Sequence, residues 1–203
     1  MQQHVQSAHK WSRLMQTAAI LVMAGLAQAL SLAWPFEGAL KGETQGWLQS
    51  VSLAVLAYGV DRSQSGKQAF AKAWVFAFAW LAGSIWWLFI SMHRYGDLPA
   101  PIAGLAVGLM AAGLALFYGV AASLYHAICQ TGVGVVARAI AFASVWVLAE
   151  MVRGTLWTGF PWGAVGYAHT DSLLKHWAPW IGIYGLCALS AFIAMVVGAE
   201  RKD

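Results

Sequence analysis

The sequence predicts an all-α membrane protein, a bundle of about six transmembrane helices with both termini cytoplasmic. Three observations carry that prediction. Apolar residues fill 60% of the 203 positions and charged residues only 10%, whereas a soluble domain carries roughly 25% charged residues because its surface faces water. The apolar residues gather in long runs, most of them reaching the ~18 residues that mark a bilayer span. The runs also lack the period-two alternation of barrel strands, and only helices or closed barrels pair every backbone N–H and C=O inside hydrocarbon.

Six runs are visible, about 14–33, 47–60, 70–90, 102–128, 133–153 and 180–198, and they make residues 1–203 one membrane domain. The first follows Lys10 and Arg13 and passes Ala27-Gln28-Ala29, a pattern that a cleaved signal peptide shares. It is longer than a usual signal core and is read as a span. The second is short and crosses a bilayer only if lengthened, tilted or partly interfacial. The third ends near the Trp86-Trp87 pair. The fourth carries Gly104-x-x-x-Gly108, whose ordinary meaning is close helix–helix packing. The fifth runs into Glu150-Met151-Val152-Arg153-Gly154, and the sixth begins after Pro179. Cys129 and Cys187 fall in or beside apolar runs, so both are read as small buried side chains and not as a disulfide framework.

Orientation follows from the cations. A cytoplasmic N-terminus places Lys10, Arg13, Arg62, Lys67, Lys72, Arg138, Arg201 and Lys202 inside, eight in all, and leaves Lys41, Arg94, Arg153 and Lys175 outside. The net charge of +4 is therefore topological. Its cations are scattered singly and do not form a nucleic-acid surface. Trp34, Trp47, Trp86, Trp87, Trp157, Trp162, Trp177 and Trp180 fall near the outer ends of spans. An interfacial belt accounts for some of them, and the bias to one face suggests an outer surface that handles lipid.

Three outer segments carry the candidate site residues. The first is Trp34-Pro35-Phe36 after span one. The second is Ser91-Met92-His93-Arg94-Tyr95-Gly96-Asp97-Leu98-Pro99, in which His93, Tyr95 and Gly96 are candidates. The third joins Glu150 and Arg153 to Gly159-Phe160-Pro161-Trp162 and Tyr167. Three apart, Glu150 and Arg153 share one helix face. Ionisable groups at membrane depth meet a partner or a polar cavity, so the pair either neutralises itself or also presents Arg153 to a lipid headgroup, and the two readings are compatible. The glycine, proline and aromatics that follow make a rigid turn, either a membrane anchor or one wall of a lipid cleft. His93 with Asp97, and His169 and His176 flanking Asp171, lack a zinc spacing. No metal or cofactor is expected.

These segments, in this order, resemble the membrane region of bacterial apolipoprotein N-acyltransferases. Trp-Pro-Phe, Ser-Met-His-x-Tyr-Gly-x-x-Pro, Glu-x-x-Arg-Gly-x-x-x-Thr-Gly-Phe-Pro-Trp and Gly-Tyr are followed by the similar stretch Ala178-Pro179-Trp180-Ile181-Gly182-Ile183-Tyr184-Gly185. The resemblance covers about residues 14–198. It implies a multi-pass protein of the bacterial inner membrane with a periplasmic working face and phospholipid and lipoprotein acyl chains as partners. The reaction it implies moves an acyl chain from phospholipid, through a cysteine thioester, to the N-terminal amine of a diacylglyceryl-cysteine. The resemblance also implies a periplasmic nitrilase-like domain with a Glu-Lys-Cys triad. The sequence stops at Asp203 without one, so the chain is expected to be inactive alone, with no catalytic residue of its own and a separately encoded catalytic half as a possible partner. A non-catalytic scaffold or lipid-binding protein derived from the family is the alternative. A transporter would show paired interrupted helices, which are not seen.

Overall fold

Each apolar run folds as a helix, and the residues between the runs decide where each helix stops. The computed structural model describes residues 2–129, 133–156 and 158–199, with side chains from Trp11 onward. Trp157, Arg201, Lys202 and the side chain of Lys10, which the topology reading uses, lie outside these.

Helix α1 spans Gln2–Leu32 and so begins well before the predicted span. Helix α2 is Gly46–Asp61 and α3 is Gly66–Ser84. The start of α3 is set by Ser65-Gly66-Lys67-Gln68, a variant of the reciprocal capping box. Gln68 N–H donates to Ser65 Oγ at 3.3 Å, and Gln68 Oε1 reaches back to accept from Gln64 N–H at 2.7 Å. The predicted third run does not stay straight. Helix α4 (Trp87–Ile90) and a π-helical turn (Ser91–Tyr95) continue from α3 at an angle of 47°. Helix α5 (Ala100–Ile128) has a proline in its first turn, where the missing N–H would have had no partner anyway. Helix α6 is Val135–Thr155. Two 3-10 turns, Val165–His169 and Leu173–Trp177, lead into α7, Ala178–Gly198, which Gly182 interrupts near its start. There is no strand among the described residues.

Four stretches are long and apolar enough to cross a membrane, Trp11–Leu32, Ala100–Ile128, Val135–Thr155 and Leu173–Gly198, and the bent α3–α4 pair makes a fifth. The 16 residues of α2 extend only ~24 Å at 1.5 Å per residue, short of a hydrocarbon core of ~30 Å. Helix α2 buries Leu53, Leu56, Ala57 and Val60 against α7 and α1 and leaves Trp47, Val51 and Tyr58 exposed on its other face.

The layering runs α1, α3, α5, α6, α7, with α2 closing the gap between α1 and α7. Helices α3 and α5 approach through small residues, Ala69, Ala73 and Ala77 on one and Ala111, Ala115 and Gly119 on the other, all buried. A Cβ at Gly119 would stand 2.8 Å from the Phe70 ring. This is the small-xxx-small packing that membrane helices use in place of a hydrophobic drive. The packing expected of Gly104 and Gly108 is not made among the described residues, because a Cβ at either would meet no atom within 4 Å. The contact row of α5 lies on the next face, that of Ala103 and Val107. Leu105, Leu109, Leu116, Val120 and Leu124 point outward, an apolar exterior that a water-facing protein rarely tolerates over such an area.

The interior is partly polar. At the end of α2, Asp61 Oδ2 accepts from Arg138 Nη1 at 2.5 Å and Oδ1 from the Tyr125 hydroxyl at 2.6 Å, with both charged side chains only 4% exposed. This second buried ion pair ties α2, α5 and α6 together at the end opposite Arg153. Cys187 is buried as expected, whereas Cys129 is only half-buried.

Candidate functional site

Helix α6 delivers Glu150 and Arg153 one turn apart to one end of the bundle, and neither side chain has any exposed surface. Arg153 Nη2 donates to Glu150 Oε2 at 2.6 Å, Nε to the Tyr118 hydroxyl at 2.9 Å, and Nη1 to two backbone oxygens, Phe160 O at 2.6 Å and Trp162 O at 2.8 Å. Four protein oxygens thus surround the planar guanidinium fork, and Lys could not reach them all from a single ammonium. Glu150 Oε1 faces the Val165 N–H at 3.5 Å. The pair therefore holds both arms of the loop that follows α6.

The loop's shape depends on Gly159. At φ +70° its Cβ would lie 2.1 Å from Gly154 O, so only glycine fits this left-handed position. The chain then doubles back, and Phe160 N–H caps Arg153 O at 2.8 Å. Beneath the guanidinium, Trp80, Tyr118 and Trp146 form one aromatic cluster, with the Trp80 and Tyr118 centroids 5.1 Å apart and those of Tyr118 and Trp146 4.8 Å apart. The guanidinium carbon stands 6.0 Å from both the Trp80 and Tyr118 centroids, at the outer limit of a cation–π contact.

Of the sequence-predicted residues, the structure brings Glu150, Arg153, Pro161 and Tyr167 around one small cavity of about 30 Å³, closed by Ala164, Ile183 and Tyr184. That is about the room of one water. The neighbouring Trp162 ring is exposed and meets Trp87 edge-on at 6.0 Å. The other two segments keep their bonds largely to themselves. His93 Nδ1 contacts Leu98 O at 2.7 Å, Tyr95 is exposed, and Gly96 N–H donates to Ser91 O at 3.2 Å. Trp34 and Phe36 pack edge-on at 5.2 Å beside Pro35, and Trp34 pairs its backbone with Gly42 and Glu43. The Trp34–Glu43 loop is tied to the other side of the rim by Thr44, whose hydroxyl donates to Asp171 Oδ2 at 3.0 Å.

Sequence reasoning missed Tyr118, which lies 35 positions from Arg153 in a run that reads as plain membrane helix. It also missed a buried polar chain. His169 Nε2 lies 2.9 Å from Gln49 Oε1 and 3.2 Å from Ser190 Oγ, its Nδ1 lies 2.9 Å from Ser172 Oγ, and Gln49 Nε2 faces Gln28 Oε1 at 3.4 Å. With Gln49 Oε1 as acceptor, Nε2 carries the proton. Burial pushes the imidazole down to about 4, so His169 is neutral near pH 7 and joins the loop before α7 to α1, α2 and α7. Polar residues inside otherwise apolar runs, Gln28 and Gln49 above all, were the available signal.

Neither cysteine is set up as a nucleophile. Burial, followed by the Asp61 carboxylate, pushes the Cys129 thiol above its ordinary value, the reverse of what a thiolate needs. Cys187 is buried, with Sγ accepting from Gly166 N–H at 3.3 Å.

The family model described as the apolipoprotein N-acyltransferase N-terminal domain matches residues 24–196. The chain is similar to the apolipoprotein N-acyltransferase of Verminephrobacter eiseniae, 48% identical over 185 residues, covering 89% of this chain and 33% of that protein. It is also similar to those of Ralstonia nicotianae, 42% identical over 159 residues (77% and 30%), and Pseudomonas syringae pv. tomato, 34% identical over 152 residues (74% and 30%). The chain spans about a third of the length of these relatives.

Proposed function

The chain belongs to the apolipoprotein N-acyltransferase family, and from that premise we propose that it is the membrane part of such an enzyme. In this reading residues 1–203 form one domain in the bacterial inner membrane, with six crossings, both termini cytoplasmic and the aromatic rim at the periplasmic face. The partners are phospholipid, the acyl chains of a lipoprotein's diacylglyceryl-cysteine, and a nitrilase-like catalytic part that carries out the acyl transfer. The observation that supports it most is the clamp around Arg153. It fixes a turn whose Trp162 ring projects at the rim beside Trp87, as a rigid wall for an acyl chain would require. Glu150, Arg153, Gly159 and Pro161 build that wall from behind, while Phe160, Trp162 and Tyr167 face the chain. Trp34, Pro35, Phe36, His93, Tyr95 and Gly96 complete the rim.

Orientation is tested by single cysteines introduced into a chain lacking Cys129 and Cys187. Cysteines at Gly42, Gly96 and Ser172 are expected to react with a membrane-impermeant maleimide in intact cells, and one at Ser63 to be protected. Labelling at Ser63 alone would invert the assignment.

Function is tested by titrating a fluorescent diacylated lipopeptide onto the purified chain in phosphatidylethanolamine/phosphatidylglycerol nanodiscs. Saturable binding is expected, weakened roughly tenfold by Trp162→Ala, the loss typical of a central aromatic contact. Lipopeptide partitioning no better than into empty nanodiscs would reject the substrate-binding reading and leave the scaffold one.

A further inference from the structure

A second cavity, of about 230 Å³, lies between α1 and α3 at the end of the bundle opposite the aromatic rim. Leu14, Leu21 and Val75 give it an apolar wall. Its polar lining is Thr17, Gln68 and Lys72, with no carboxylate among the described residues. Lys72 is half-buried, and its ammonium donates to Gly59 O at 2.5 Å, a carbonyl near the end of α2 that also accepts from Ser63 Oγ at 3.2 Å. This contact holds the charge in place without neutralising it. Asp61, the acid that ends α2, is committed to Arg138 and Tyr125. Gln68 adds its amide, and exposed Lys67 precedes it on α3. On α1, Arg13 lies one turn before Thr17, whose hydroxyl donates to Arg13 O at 2.9 Å.

A half-buried cation without an acid, at the mouth of an apolar groove between two membrane helices, is the arrangement that takes a lipid phosphate. We propose that this groove is a binding site for an anionic phospholipid of the leaflet at the basic end. The phosphate lies at Lys72, within reach of Gln68, and a length of acyl chain runs along Leu14, Leu21 and Val75. The site is separate from the aromatic rim and needs only that the bundle lies in a membrane, not the acyl-transfer reading.

The test is native mass spectrometry of the purified chain, delipidated in detergent and given phosphatidylglycerol, phosphatidylcholine or inorganic phosphate. The wild type is expected to keep one tightly held phosphatidylglycerol that phosphatidylcholine does not replace and inorganic phosphate does not displace. Lys72→Gln should weaken it roughly fivefold, the worth of one basic residue at a membrane surface, and Lys72→Arg should keep it. Ala71→Trp, which fills the groove and leaves Lys72 in place, should remove it without lowering the melting temperature. Because Lys72 also caps α2, Lys72→Gln could lose its fold, and Ala71→Trp then decides alone. Unchanged phosphatidylglycerol in Ala71→Trp, equal retention of phosphatidylcholine, or displacement by inorganic phosphate would each overturn the proposal.

Discussion

Arg153→Ala is expected to destabilise the chain by about 3–5 kcal/mol, the usual cost of leaving one member of a buried ion pair alone. The melting temperature in detergent should fall by roughly 10 °C. The size follows from what is orphaned. Glu150 would keep only a 3.5 Å contact to Val165 N–H, and Phe160 O, Trp162 O and the Tyr118 hydroxyl would all lose their donor. The double variant Glu150→Gln with Arg153→Gln should be milder than Arg153→Ala, because no buried charge remains. Arg153→Lys should fall between, since its ammonium cannot span the four acceptors. The same proteins also separate two roles of Arg153. If the double variant retains as much phospholipid through purification as the wild type, Arg153 is purely an anchor of the loop, and a headgroup contact is ruled out. A melting temperature within about 2 °C of wild type for Arg153→Ala would mean that the clamp contributes little.

Asp61→Ala should cost about as much, again roughly 3–5 kcal/mol, at the other end of the bundle. It breaks the buried pair with Arg138 and, among the described residues, leaves the Tyr125 hydroxyl a weak contact to Met195 Sδ at 3.7 Å. Asp61→Asn combined with Arg138→Gln should recover most of the loss, since two amides can still bond to each other and to Tyr125. Arg62→Gln, next door but exposed and stacked over Tyr58 at 4.6 Å, should change stability by less than about 0.5 kcal/mol. Equal melting temperatures for Asp61→Ala and Arg62→Gln would show that the inner pair is not a structural tie.

How far the sequence could be read depended on the distance between interacting residues. The long apolar helices were legible because hydrophobic runs are local. So was the Glu150–Arg153 pair, because three residues on a helix always meet. The place of α2 was harder to foresee, as a run of that length suits a strained span or a packed helix equally well. The bend after Ser84 left no proline to announce it. Asp61 and Arg138 lie 77 positions apart, and Gln49 and His169 lie 120 apart. Nothing in either neighbourhood names the partner, so a charge at the end of a run was read as a topological marker when it is also a structural tie. The glycines of α5 misled for a related reason. Gly104-x-x-x-Gly108 has the spacing of a packing motif, but the face that meets α3 is chosen by bulk across the interface, such as the Phe70 ring against Gly119.

The Asp61–Arg138 tie also sets a timetable for assembly. During translation Asp61 leaves the ribosome 77 residues ahead of Arg138, which at about 5–20 residues per second is an interval of roughly 4–15 s. Throughout that interval Asp61 lacks its Arg138 partner, so the tie that joins α2 to α5 and α6 stays open. The contacts that fix the end of α2 can therefore close only after α6 has been made, and the order of insertion along the chain differs from the order in which the helices settle.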